Sequence, residues 1–195
     1  MKIFWSDVET TGLDPVKNDI WQIAFEVQVN GEVVATHDFK MCPEDLTHVS
    51  PEALAIGGVT LDEIKSFPPA IKIFNTIKGI MREFVDPFKK GDKLIPAGYN
   101  CHHFDIPFIR EFFRKMGDKY YGSWFSNYPL DVYHMAIAAH TLVGTVLPKY
   151  KLADVCAYHG IVISEAHNAR YDIKATRELC YLLRDLYFKP RFIVF

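Results

Sequence analysis

Five side chains in this sequence are of types that can act together: Asp7 and Glu9 in D-V-E, Asp105 at the end of N-C-H-H-F-D, and His167 and Asp172 in H-N-A-R-Y-D. Carboxylates are hard oxygen donors, suited to Mg²⁺ or Mn²⁺ rather than to softer ions. Two such ions about 3.5 to 4 Å apart stabilise both the attacking and the leaving oxygen of a displacement at phosphorus. A histidine titrates near neutrality and suits the removal of a proton from water. The chemistry open to this set is metal-assisted hydrolysis of a phosphoester. Each pair alone is ordinary: with each acid at about 6% of residues, D-x-E arises by chance in roughly every other protein of this size. Asp105 alone reads equally well as a helix cap, and an isolated histidine is more often structural than catalytic. The conjunction carries the argument.

The elements that must position these residues follow from the local patterns. Residues 2 to 7 form a short β-rich apolar run that T-T-G-L-D-P ends. Side chains alternate along a strand, so Asp7 and Glu9 share one face and can share one cation. Thr10, Thr11, Gly12 and Leu13 follow directly, and the small residues and glycine let backbone amides approach a bound chain end closely. G-Y-N-C-H-H-F-D at 98 to 105 reads as a strand end leading into a helix, with Asp105 about where an N-cap would lie and Pro107 in the first turn. Asn100 joins Thr10, Thr11, Gly12 and Leu13 as a candidate substrate-binding residue. Positions five apart on one helix diverge by about 140°. His167 and Asp172 therefore converge only if His167 lies in the loop before the last helix, with Asp172 in its first turn.

Around these, residues 20 to 29 and 32 to 40 are strand-like and joined by Asn30-Gly31, the dipeptide of a type I′ hairpin. Ser50-Pro51 opens a short helix, and Thr60 with Glu63 forms a capping box for another. Apolar residues from Ile73 to Phe84 repeat at three and four, predicting an amphipathic helix from Pro69 to about Val85. A strand is expected over 93 to 99, helices over 105 to 116, 130 to 142, 150 to 158 and 169 to 186, and an aromatic loop over 120 to 128. Strands first and helices after predict an α/β layer fold, a mixed sheet flanked by helices. At 195 residues the chain suits a single domain, 1–195.

The 22 basic and 24 acidic residues nearly cancel, so the chain is not a strongly basic nucleic-acid binder, although bound divalent cations would turn the local field positive. Cys42, Cys101, Cys156 and Cys180 show no C-x-x-C spacing, which excludes a zinc ribbon or a disulfide scaffold and predicts free thiols. Charge enters at Asp7, too early for a signal peptide, and no apolar run approaches the roughly 20 residues of a membrane span. The expected location is cytoplasmic, with no membrane partner.

Taken in order, D-x-E-T-T-G-L-D-P, a second motif ending at Asp105, and H-x4-D resemble the three motifs of the DEDD exonucleases of the DnaQ-like group, in the subgroup whose third motif contains histidine. P-E-A-L-A-I-G-G-V-T at 51 to 60 and K-L-A-D-V-C-A-Y-H-G-I at 151 to 161 extend the likeness over about residues 2 to 186. The second motif, Gly98-Tyr99-Asn100 onward, is similar to the exonuclease I variety. The resemblance implies a ribonuclease H-like fold with a central mixed five-stranded sheet, and 3′→5′ release of nucleoside 5′-monophosphates from single-stranded DNA or RNA. It also implies a division of roles. Asp7 would bridge two Mg²⁺ or Mn²⁺ ions, Glu9 and Asp172 would help hold the ion of the attacking water, Asp105 would serve the other, and His167 would be the base.

Leu13 resembles the residue that wedges beside the terminal base in that family, and plain packing is an equal alternative. Trp124, Phe125 and Tyr128 suit core or loop packing better than base stacking. His102 and His103, adjacent in sequence, are expected to diverge and to be peripheral, and Asp131 to be structural. Two other functions stay open on the sequence: a non-catalytic nucleic-acid or partner-binding module on the same fold, and a hydrolase of another phosphoester. A homodimer, or a polymerase or repair partner, stays open too.

Overall fold

The computed structural model describes residues 1–163 and 169–189. Its centre is a five-stranded sheet in the order β3-β2-β1-β4-β5. β1 (Lys2–Thr10) pairs antiparallel with β2 (Ile20–Val29), which pairs antiparallel with β3 (Glu32–Lys40). Asn30 and Gly31 both take positive φ, 52° and 99°, as a type I′ hairpin requires. On its other side β1 pairs parallel with β4 (Ile95–Gly98), and β4 pairs parallel with β5 (Leu130–Asp131). The fifth strand is only two residues long and replaces the start of the helix expected from 130. Asp131 ends it and caps the following helix.

Eight helices are described. α1 (Pro51–Gly57) and α2 (Leu61–Ser66) start where Ser50 and Thr60 cap them, the second with the expected capping box. α3 (Ala70–Arg82) and α4 (Asp105–Lys115) precede α5 (Tyr121–Trp124), a short turn in the expected aromatic loop. α6 (Val132–Leu142), α7 (Leu152–Tyr158) and α8 (Ala169–Leu183) follow, and a π-helical turn over Arg184–Phe188 extends the last.

Strand alternation sorts the core into two layers. Phe4 and Val8 of β1 and Ile23, Phe25 and Val27 of β2 pack with Ile73, Phe74 and Phe112 of α3 and α4. Ile3 and Trp5, with Ala24, pack on the opposite face with Val132, Val155, Ile173 and Leu179 of α6, α7 and α8. Glu26 and Gln28 of β2 share that second face. Glu26 accepts from Arg177 Nε at 2.8 Å, and Gln28 accepts from the Trp5 indole at 2.9 Å and meets the Tyr181 hydroxyl, so polar pairs fix how α8 lies on the sheet. The four cysteines are free thiols. Among the described residues no helix is long and apolar enough to cross a membrane.

Candidate active site

The alternation that buries Ile3 and Trp5 under α8 continues to Asp7 and Glu9, which emerge on the same face where β1 passes the end of β4. β4 pairs with β1 only from Ile3 to Trp5. Beyond it, Asp105 takes the place of a strand: its Oδ1 accepts the Val8 backbone N–H at 3.0 Å. The carboxylate is thus not the N-cap of α4. Phe104 holds that position without a side-chain cap, and Asp105 is the first helical residue, 4% exposed.

The turn from β4 into α4 is built to deliver Asp105. At Gly98 a methyl group would sit 2.9 Å from the Ser6 carbonyl oxygen and 2.8 Å from Cys101 Cβ, so only glycine fits. Asn100 adopts φ 59°, and the Asp131 carboxylate pins the turn by accepting the N–H groups of Asn100 and His102, each at 3.0 Å. The same carboxylate caps α6 through the Tyr133 N–H at 3.0 Å. Asp131 is structural in this specific sense: it ties the second motif to α6.

Asp7, Glu9, Asp105 and Asp172 line one cleft of about 320 Å³, together with Thr10, Leu13, Ala53, Ile56, Tyr99, Asn100 and Phe104. Three elements supply the acids: β1, the start of α4 and the first turn of α8. His167 lies outside the described residues. Leu13 is 83% exposed and Ile56 70% exposed, so the cleft that holds the acids also presents unburied apolar side chains. Packing therefore does not account for Leu13. α1 is held close by Gly57, where a methyl group would lie 2.7 Å from the Trp21 ring and 3.5 Å from Glu9 Oε2.

The candidate substrate residues divide. Thr10, Leu13 and Asn100 line the cleft, whereas Thr11 and Gly12 do not. Thr11 is 1% exposed, its hydroxyl accepting the Asp19 N–H at 3.0 Å, while the Thr10 hydroxyl donates to the Gly12 carbonyl at 2.7 Å. These residues shape the turn that carries Leu13. Tyr99, Phe104, Ala53 and Ile56 were not singled out from sequence. Ile56, an apolar residue on the open side of a short helix, carried the only local signal. Trp124 and Phe125 are buried and Tyr128 is exposed. His102 and His103 do not diverge; their rings meet edge to face with centroids 5.4 Å apart.

Three of the acids hold their protons more tightly than free carboxylates. Burial, and then the charges of Asp105, Glu9 and Asp172, holds Asp7 well above the usual carboxylate range. Burial and the neighbouring Asp172 push Glu9 up to about 7. Burial pushes Asp105 up to about 7 as well, against the lowering effect of its own N–H and that of Val8. Among the described residues no three acid, histidine or cysteine side chains are already drawn together as a metal-binding group. Burial is the largest cause of the raised proton affinity at Asp7, Glu9 and Asp105, and neighbouring carboxylates add to it. An all-oxygen set of four carboxylates fits a hard divalent cation.

Compared with known families, residues 4–180 match the model of the RNase T exonuclease family. The chain belongs to this exonuclease family. The match spans β1, the start of α4 and the start of α8, the elements that carry Asp7, Glu9, Asp105 and Asp172. A PolC-type DNA polymerase III from Halalkalibacterium halodurans is 28% identical over 176 residues, which is 90% of this chain and 11% of the polymerase. One from Streptococcus thermophilus is 26% identical over 187 residues, 94% of this chain and 11% of that protein. The chain therefore spans about a tenth of the length of these relatives. E. coli exonuclease I in complex with a dT13 oligonucleotide superposes with a TM-score of 0.74 at 23% identity, over 94% of this chain and 41% of the other. A product-bound structure of exonuclease I gives 0.75 at 21%, over 94% of this chain and 43% of the other. The exonuclease domain thus has a ribonuclease H-like fold, with the mixed five-stranded sheet described above.

Proposed function

We propose that this exonuclease domain is a metal-dependent 3′→5′ exonuclease that releases nucleoside 5′-monophosphates from single-stranded nucleic acid, with DNA favoured over RNA. The observation that carries the reading is the cleft itself: four carboxylates from three distant chain segments line one wall region, and exposed Leu13 and Ile56 line the same space. The acids suit a phosphate with its cations, and the apolar side chains suit a base. The preference for DNA rests on the relatives, since the PolC-type proteins are DNA polymerases and the exonuclease I structure holds dT13.

Mg²⁺ or Mn²⁺, as two ions, would be held by Asp7, Glu9, Asp105 and Asp172 and would supply charge stabilisation at the phosphate oxygens. The remaining work falls to the chain. Leu13, Ile56 and Phe104 seat the terminal base, with Thr10 and Asn100 beside it. The turn of Thr11 and Gly12 holds Leu13 in place. His167, five positions before Asp172 in the sequence, takes the proton from the attacking water.

The test uses 3′- and 5′-labelled DNA and RNA strands with Mg²⁺, Mn²⁺ or chelator, beside Asp7→Ala. Monophosphate release from the 3′ end, lost in chelator and in the variant, is the expected result. Release that persists in chelator would sink the metal mechanism, and strand binding without any release would indicate a binding module.

A further inference from the structure

β1 and β2 keep one register from Lys2 opposite Val29 to Glu9 opposite Gln22, and then slip, so that Thr10 stands opposite Ile20 and Trp21 has no partner on β1. A bulge of this kind re-aims the extra side chain. With strict alternation Trp21 would share the layer of Ile23. Instead Ile20 and Ile23 both pack in the layer of α3 and α4, whereas Trp21 joins Leu54 of α1 and Ile64 of α2. The slip thus turns an indole toward the helix that lines the cleft through Ala53 and Ile56.

There the indole meets the acid site. At Gly57, the last residue of α1, a β-carbon would lie 2.7 Å from Trp21 Cζ2, 3.5 Å from Trp21 Cε2 and 3.5 Å from Glu9 Oε2. Cε2 carries the indole nitrogen, and the edge of an aromatic ring is its positive part, the part that attracts a carboxylate. Trp21 is 2% exposed, and its Nε1–H is a buried donor without an acceptor, a state that costs free energy. Beside the same glycine, Glu9 is an acceptor without a donor. Among the described residues nothing donates to its carboxylate, whereas Asp105 accepts the Val8 N–H.

We infer that Trp21 is a positioning residue for Glu9: in the cation-loaded cleft its indole N–H donates to one carboxylate oxygen and leaves the other to the metal site. The inference rests on the exonuclease reading, in which Glu9 is a ligand. A carboxylate on a flexible stem can face a cation in many ways, and a donor on one oxygen selects among them. Trp21 does not line the cleft and acts only through Glu9.

The test measures cation binding without turnover. Mn²⁺ is titrated by calorimetry into the whole chain, without nucleic acid, for the wild type, Trp21→Phe, Glu9→Ala and the double variant. Trp21→Phe keeps a ring in the small core and removes the N–H. It is expected to weaken Mn²⁺ binding about tenfold, as the loss of a hydrogen bond to a charged group does, and to change nothing further once Glu9 is replaced. Equal weakening with and without Glu9 would mean that Trp21 only packs, and unchanged binding in Trp21→Phe would equally overturn the inference. A second measurement needs no Trp21 variant and decides the matter if Trp21→Phe does not fold. The Trp21 indole N–H resonance, assigned through its contact with Gly57, is expected to move downfield as Mg²⁺ is added to the wild type and to hold its place in Glu9→Ala. A resonance that stays fixed in a wild type that binds Mg²⁺ overturns the positioning role and leaves the exonuclease reading standing. If the wild type binds neither cation, both fall.

Discussion

The Asp105 carboxylate accepts the Val8 N–H at 3.0 Å, and Val8 is the residue between Asp7 and Glu9. The second motif is thereby fixed against the backbone of the first. Asp105→Asn keeps an oxygen for this bond and removes the charge, while Asp105→Ala removes both. Each is expected to lose turnover by at least about a hundredfold. The Ala variant should also be less stable than the Asn variant by about 1 to 3 kcal/mol, because a buried amide loses its acceptor. Equal stability of the two in chemical denaturation would show that the bond contributes nothing.

The raised acids set a pH dependence. Glu9 moves from 4.5 to about 7 and Asp105 from 3.8 to about 7 on folding, so the folded state prefers their protonated forms. Their contribution to stability is complete below the unfolded values and is lost as pH rises through the folded ones. In chelator, the melting temperature is expected to fall between about pH 4.5 and 7, and Glu9→Gln should flatten part of that fall. A difference between wild type and Glu9→Gln that stays constant across the window would contradict the assignment.

Adding Mg²⁺ or Mn²⁺ should reverse the effect. Cation binding to the folded state at a hundred times its Kd stabilises by about 2.7 kcal/mol. The gain is expected at pH 7.5, to shrink at pH 5 where protons compete for the same oxygens, and to be largely absent in Asp7→Asn. A gain that survives that substitution would locate the cation elsewhere.

Asp131 accepts three backbone amides that belong to two elements. Asp131→Ala leaves the start of α6 uncapped and the Asn100 turn unheld, with an expected cost of roughly 2 to 4 kcal/mol. Turnover should fall although the residue does not line the cleft. A loss of stability below about 0.5 kcal/mol, measured by urea unfolding, would refute this bracing role.

Leu13 is exposed, so Leu13→Ala should leave stability within about 0.5 kcal/mol. Losing its contact with a base is expected to raise KM for single strands about fivefold. An unchanged KM would remove Leu13 from the substrate site.

Much of this was legible because local chemistry and tertiary demand agree. Asn30-Gly31 needs positive φ in any hairpin, Thr60 and Glu63 cap whatever helix follows them, and the β1 alternation that buries Trp5 also sets the face of Asp7 and Glu9. Other features depend on partners distant in sequence. Leu130-Asp131 is too short for periodicity to reveal a strand and becomes one only because β4 lies beside it. Asp105 looks like a cap until β1 is present to offer Val8. Phe104 and Ile56 acquire a role only when α1 and α4 meet across the end of β1.

β1 is the middle strand, yet the cleft it anchors is finished by Asp172, 165 positions after Asp7. During synthesis the β1–β2–β3 ribbon can pair long before α8 exists, and the pair Asp7 and Glu9 then stands without Asp105 and Asp172. A chain that has formed the sheet but not docked α8 therefore has an open cleft, and its fourth acid comes into place only when that helix packs on the sheet.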